Sequence, residues 1–239
     1  ADAVRYYVKA YNATKKETAK YQNKETDEIL TYYKLLGVKT LGADNVYING
    51  SRNKFMDSYL DSMISDTKVG TGLPPCTAVD KSEDTDLNGK SLVTSRLRDT
   101  DVETLSIKDN KNGTVTLTIK PKSVQMSSPG ADAQGRFFST LGPMYDTFDQ
   151  MLKQNGGKWT TGNAKKNLHM NYTGGTGTIT INTSSGKITK ATYNMKVNVE
   201  VQHVTISGMK NQRVQLRVIV KDTFPMSQEL FDSSNLERL

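Results

Sequence analysis

The stretch GKITKATYNMKVNVEVQHVTI, residues 186–206, constrains this chain more than any other. Ala191, Tyr193, Met195, Val197, Val199 and Val201 occupy every second position, with polar residues between them. A period of two puts those six side chains on one face of a β-strand. At Gln202-His203 the apolar parity changes, from Val201 to Val204 and Ile206, which is the mark of a β-bulge or sharp bend. A second arm, NQRVQLRVIVKDTF, alternates Val214, Leu216, Val218 and Val220, and SGMKN supplies the turn between the two. A long antiparallel hairpin follows, with one apolar face that needs a cover and one polar face that does not.

The cover is found in amphipathic segments. Val4, Tyr7, Val8 and Tyr11 keep helical spacing behind Asp2, which is placed as an N-cap. Phe55, Met56, Tyr59, Leu60, Met63 and Ile64 form the clearest helical stripe. Asp57 and Asp61 fall on another face of that helix, one turn apart. Two carboxylates at that spacing can ligate a metal or share a proton, but they read most simply as a solvated outer face. Phe137, Phe138, Leu141, Met144, Tyr145, Phe148 and Leu152 repeat at helical spacing until Gly156-Gly157. Pro143 either kinks that helix or starts its main part.

Other strands are visible. VETLSIKDNKNGTVTLTIKPK reads as a hairpin with Leu105 and Ile107 facing Val115, Leu117 and Ile119, and with Asn112-Gly113 able to take positive φ. Ile179 and Ile181 mark an arm that turns at Ser184–Gly186. YQNKETDEILTYYKLLG fits a strand or a helix, and the tail SSNLERL reads as loosely held or helical. Residues 66–90 and 123–135 are rich in Pro, Gly and acids and read as loops. The expected fold is α+β: an antiparallel β-sheet with a long-stranded C-terminal meander and amphipathic helices packed on one face. It forms a single domain over 1–239. The likeness of FMDSYLDSMI to MYDTFDQML allows a division into two similar halves, 1–122 and 123–239, joined around those loops.

Chemistry-bearing motifs are scarce. No G-x-S-x-G elbow, phosphate-binding loop or H-E-x-x-H helix occurs. Cys76 is alone and reads as a free thiol in a loop; the preceding LPP does not make a lipoprotein cleavage box. Glu83, Asp84 and Asp86 lack the Gly and terminal Glu of a calcium loop. The two histidines are His169 and His203, the latter at the parity change. No cofactor or metal site is expected. The net charge of +7 favours anionic partners, yet acids interleave with bases and no nucleic-acid motif appears. No segment is apolar enough to span a membrane. On the polar face of the long hairpin, Lys196, Arg213, Arg217 and Lys221 share a surface with Glu200. That patch suits an anionic wall polymer or an acidic envelope protein; it also reads as a soluble face where lysine discourages edge pairing.

AVRYYVKAYNATKKE, the central hairpin and GTITINTSSGKITKATYNMKVNVEVQ followed by VQLRVIVKDTF together resemble a family of secreted proteins and lipoproteins of Gram-positive, clostridial-type gut bacteria. The resemblance implies an extracellular location, secreted or lipid-anchored, with the signal segment upstream of Ala1. It brings no catalytic residues. The expected function is therefore a non-catalytic extracytoplasmic binding or structural module at the bacterial cell surface. Two alternatives stand beside it. One is a wall-modifying hydrolase with an unrecognised carboxylate site. The other is a carrier of an apolar ligand held between helices and sheet, where the aromatic and Met-rich stripes would line the pocket; core packing also accounts for those stripes.

Overall fold

The computed structural model describes residues 2–75, 94–206 and 208–239, and the backbone of 85–87 and 90–92. The chain opens with α1 (Asp2–Lys15) and a small hairpin, β1 (Thr18–Asn23) and β2 (Ile29–Tyr33). β3 (Gly37–Ile48), β4 (Ser51–Arg52), α2 (Lys54–Ile64) and β5 (Asp66–Thr71) follow, then the short β6 (Thr85–Leu87) and β7 (Lys90–Leu92). β8 (Val102–Asp109), β9 (Thr114–Pro121) and β10 (Val124–Gln125) precede α3 (Tyr145–Gln154), β11 (Lys158–Trp159) and α4 (Ala164–Asn167). β12 (Leu168–Tyr172), β13 (Thr176–Asn182), β14 (Lys187–Ile206), β15 (Met209–Phe224), α5 (Gln228–Asp232) and β16 (Leu236–Arg238) complete it.

The architecture is α+β and mostly antiparallel sheet. Among the described residues the main sheet has 11 strands with the path β4-β3-β15-β14-β13-β9-β8. β14 is its spine. One edge of β14 pairs with β15 along the length of the strand; the other pairs with β13, then β12, then β11. The alternation read from the sequence holds: Ala191, Tyr193, Met195, Val197, Val199 and Val201 are all buried. The parity change is a bulge, with the register slipping between Val201 and Val204 and His203 at φ 53°. Against the buried face lies α1, whose Tyr7 and Tyr11 are almost fully enclosed. Tyr7 meets Phe137 and sits 3.0 Å from the Tyr193 hydroxyl.

Several local expectations are corrected, and two left open between alternatives, the YQNKETDEILTYY segment and Pro143, are resolved. Asp2 lies inside the first turn of α1 and bonds Arg5 rather than capping the helix. Residues 66–71 form β5 on the edge of β3, not loop. The YQNKETDEILTYY segment is a β-hairpin, and the tail supplies β16, which pairs with β1. In the β8–β9 turn the positive φ values fall on Lys111 and Gly113, while the Asn112 carboxamide accepts from Thr114. Phe137 and Phe138 are buried but sit in an irregular turn, not a helix. The Asp132 carboxylate gathers Ser127 Oγ and the amides of Ser128 and Gly135 there. A Cβ on Gly135 would fall 2.0 Å from the Ser128 carbonyl oxygen, so only glycine fits. Pro143 precedes α3, so it starts the helix rather than kinking it. Cys76, Glu83 and Asp84 lie outside the described residues, and of Asp86 only the backbone is described.

Candidate apolar binding cavity

The site is built on β3, a strand the hydrophobic pattern does not announce. β5 covers its edge from Gly37 to Leu41 and β4 covers Tyr47 and Ile48, which leaves 42–46 without a strand partner on that side. α2 fills the gap. Its Asp61 accepts the amide of Ala43 at 2.9 Å, and its Asp57 accepts that of Val46 at 2.5 Å. The Asn53 side chain caps the helix through the Met56 amide, and the Asn53 amide donates to the Val46 carbonyl. Asp57 also receives Arg52, and these donors, the Val46 amide first, hold its carboxyl below the usual range. Asp57 and Asp61 are therefore not a solvated face; they are hydrogen-bond acceptors for a strand edge. Gly42 permits the approach, since a Cβ there would lie 2.9 Å from Asp61 Oδ1.

With its carboxylates turned to β3, α2 lays Met56, Leu60 and Ile64 over the sheet, yet none of its residues is buried. α3 is alike: Phe148 and Leu152 pack inward and no residue is fully enclosed. Trp159 Nε1 donates to Asp149 at 2.8 Å, and the Phe148 and Trp159 rings lie 5.8 Å apart. Helices with strong apolar stripes and no buried residue have not closed on the sheet beneath them.

Between them is a cavity of about 430 Å³. Its floor is Leu168, Met170, Val199, Val201, Val214, Leu216 and Val218 of the sheet, and its walls are α2 and α3. Among the described residues, Asn53, Thr147 and Gln212 are its polar lining residues, with no carboxylate, histidine or cysteine beside them. Six of the chain's nine methionines line it: Met56, Met63, Met144, Met151, Met170 and Met209. Protein interiors seldom leave voids larger than a water molecule, whereas ligand pockets run from about 300 to 1,000 Å³. An apolar space of this size attracts apolar matter and repels water. Methionine, unbranched and polarizable, lets such a wall adapt to differing shapes. The wall reaches the surface at Met63, Met151 and Met209, which are 42%, 38% and 52% exposed.

The four basic residues expected on one face lie on the side of the sheet away from this cavity. Lys196 stands opposite Ile219, Arg217 opposite Asn198, and Lys221 opposite Asn194. Arg213 is bound to Glu200 at 2.6 Å, and Glu200 also accepts from Gln202 and Gln215. Arg213, foremost, holds the Glu200 carboxyl below its ordinary range. The patch is thus three cations and one internal ion pair. His203 Nδ1 lies 2.6 Å from Asn211 Oδ1 on the bulge, and His169 is exposed opposite Glu200.

Two buried polar features lie elsewhere. Asp101 and Arg136 form an enclosed ion pair; burial pushes the Asp101 carboxyl up, but Arg136 and the Arg98 amide outweigh it and leave it lowered. Asp222 is 3% exposed, with Lys39 at 3.6 Å; burial raises its carboxyl to about 6, against the partial offset of Lys39 and Lys15. Neither brings two carboxylates together over a cleft. Among the described residues no group of three His, Cys, Asp or Glu is placed to hold a metal ion, and no helix is long and apolar enough to cross a membrane. Compared with known proteins, the chain matches no family model, no curated protein and no solved structure.

Proposed function

We propose that the protein is a non-catalytic binding module that takes an apolar ligand between α2, α3 and the buried face of its sheet. The observation that carries this reading is the unfilled 430 Å³ space under two helices that bury none of their residues. In this reading α1, α2 and α3 all serve one face of the sheet, α1 as packed core and the other two as the walls of a pocket. The lining supplies dispersion and desolvation, and no group for proton transfer or nucleophilic attack, so the bound molecule leaves unchanged. A ligand with a hydrocarbon body fits best, because the polar groups of Asn53, Thr147 and Gln212 suffice to orient one polar end. The sequence resemblance supports an extracytoplasmic setting at a Gram-positive cell surface.

The test is titration with N-phenyl-1-naphthylamine, a dye that brightens in apolar surroundings, followed by displacement with long-chain fatty acids of graded length. Saturable, one-to-one brightening that fatty acids displace is expected. Absence of saturable binding, or binding that a bulky substitution in the cavity floor leaves untouched, refutes the assignment.

A further inference from the structure

Four segments far apart in sequence meet at one end of the sheet. β15 begins with Met209 and Lys210, where Met209 pairs with Ile206 of β14. β11 pairs Lys158 with Thr205 there, directly after the end of α3 with Lys153. α4, with Lys165 and Lys166, runs into Leu168 opposite Val201. Asn49 bonds Gln212 and the Arg213 amide, which brings the β3–β4 turn and the start of α2, with Lys54 and Phe55, to the same end.

The charge there is one-sided. Lys54, Lys153, Lys158, Lys165, Lys166 and Lys210 are all exposed. Arg52 and Arg213 are there too, bound to Asp57 and Glu200. Asp149, also at this end, accepts from Trp159. Among the described residues, eight cations thus share this end with Asp57, Glu200 and Asp149, each already engaged. Apolar side chains stand among the lysines. Phe55 is 77% exposed and Met209 52%. Phe55 stacks on Tyr59 with ring centroids 6.3 Å apart and planes at 8°, on the outside of α2. Met209 and Met151 are also cavity wall, so the binding space opens where the charge is.

We propose that this end of the molecule docks on an anionic lipid surface and that the cavity exchanges an amphiphile with that surface. The inference rests on reading the cavity as a binding site. Cationic residues alone would suit any polyanion. Exposed Phe55 and Met209 between them suit a lipid interface, where apolar side chains enter the acyl boundary while lysines hold the headgroups. A soluble wall polymer gives those two side chains nothing to enter. The lysines also explain why an apolar opening survives on a dissolved protein: their like charge keeps two copies from closing on each other.

The experiment is sedimentation of the full chain with vesicles of phosphatidylcholine alone and of an equimolar mixture with phosphatidylglycerol. Binding to the anionic vesicles only, weakening as salt is raised, is expected. Each of Lys165→Gln, Lys166→Gln and Lys210→Gln should lower the partition coefficient about fivefold, and Phe55→Ser about tenfold. None of these four residues lines the cavity, so dye binding should stay at the wild-type level in every variant. No sedimentation with anionic vesicles overturns the docking. Binding that Phe55→Ser leaves unchanged also overturns it, because contact is then with headgroup charge alone and no apolar side chain enters the lipid. Dye binding retained with vesicle binding absent sinks the docking alone. Vesicle binding retained with dye binding absent sinks the cavity reading and, with it, the exchange.

Discussion

Replacing Val201 by Phe distinguishes an open cavity from a packed core by the sign of one number. Val201 is 3% exposed on β14, paired with Leu168 on one side and Val214 on the other, and its side chain forms part of the cavity floor. The larger side chain adds roughly 50 Å² of apolar surface, which at about 25 cal/mol per Å² stabilises by ~1.3 kcal/mol if it moves into empty apolar space. In a filled core the same change overpacks, and costs about 1–3 kcal/mol. The two outcomes differ by several kcal/mol and have opposite signs. For a chain of this length 1.3 kcal/mol corresponds to a rise in Tm of about 3–5 °C. Calorimetry and urea midpoints on wild type and variant read it directly. The variant should also bind naphthylamine dye at least tenfold more weakly, because the ring occupies space the ligand needs. A fall in Tm, or a rise with dye affinity unchanged, refutes the reasoning.

Other outcomes follow from the same structure. Asp61→Ala removes the acceptor of the Ala43 amide and should cost about 1–3 kcal/mol; hydrogen exchange at Ala43 should quicken selectively, and an unchanged rate would show that another group satisfies it. The native carboxyl of Asp222, at about 6, lies above its ordinary 3.8, so between those values the folded state binds the proton more tightly than the unfolded one. Stability should fall by on the order of 3 kcal/mol as pH rises through that window and then level off. Asp222→Asn should flatten that part of the urea-midpoint profile; a variant that keeps the slope assigns it to another group. Arg136→Ala strands the buried Asp101 and should cost about 3–5 kcal/mol, whereas Asp101→Ala combined with Arg136→Ala should recover part of the loss in denaturation melts; equal losses would show the pair is not coupled.

The long hairpin was legible because β14 and β15 have one buried face each, and a period of two survives in the sequence wherever that holds. The bulge at His203 was legible for the same reason, as a break in that period. β3 was not. It lies between β15 and an edge made partly by α2, and its middle is Gly42, Ala43, Asp44 and Asn45, residue types depleted in strands. Asn45 takes φ 53° at a register shift against β15, so even its alternation slips. The role of Asp57 and Asp61 was hidden with it, since a carboxylate on a polar helix face looks solvated until the strand it serves is known. The methionines were visible, but an unfilled wall and a filled core have the same composition. The cationic end was invisible for a plainer reason. Its lysines come from residues 54, 153–166 and 210, stretches far apart along the chain that only the fold brings to one end.

The two walls of the cavity are not equivalent, and that inequality bears on the kinetics of exchange. Raising α2 breaks two bonds from strand amides to carboxylates, at Ala43 and Val46, and bares the edge of β3 to water. Raising α3 breaks the indole bond of Trp159 to Asp149, and glycines stand on both sides to absorb the rotation: Gly142 at φ 72° and Gly156 at φ 69°. For the proposed ligand exchange, α3 is therefore the wall expected to lift more easily. If the cavity takes a ligand as proposed, substitutions at Trp159 or Asp149 should change its off-rate, and substitutions in the sheet floor its equilibrium constant.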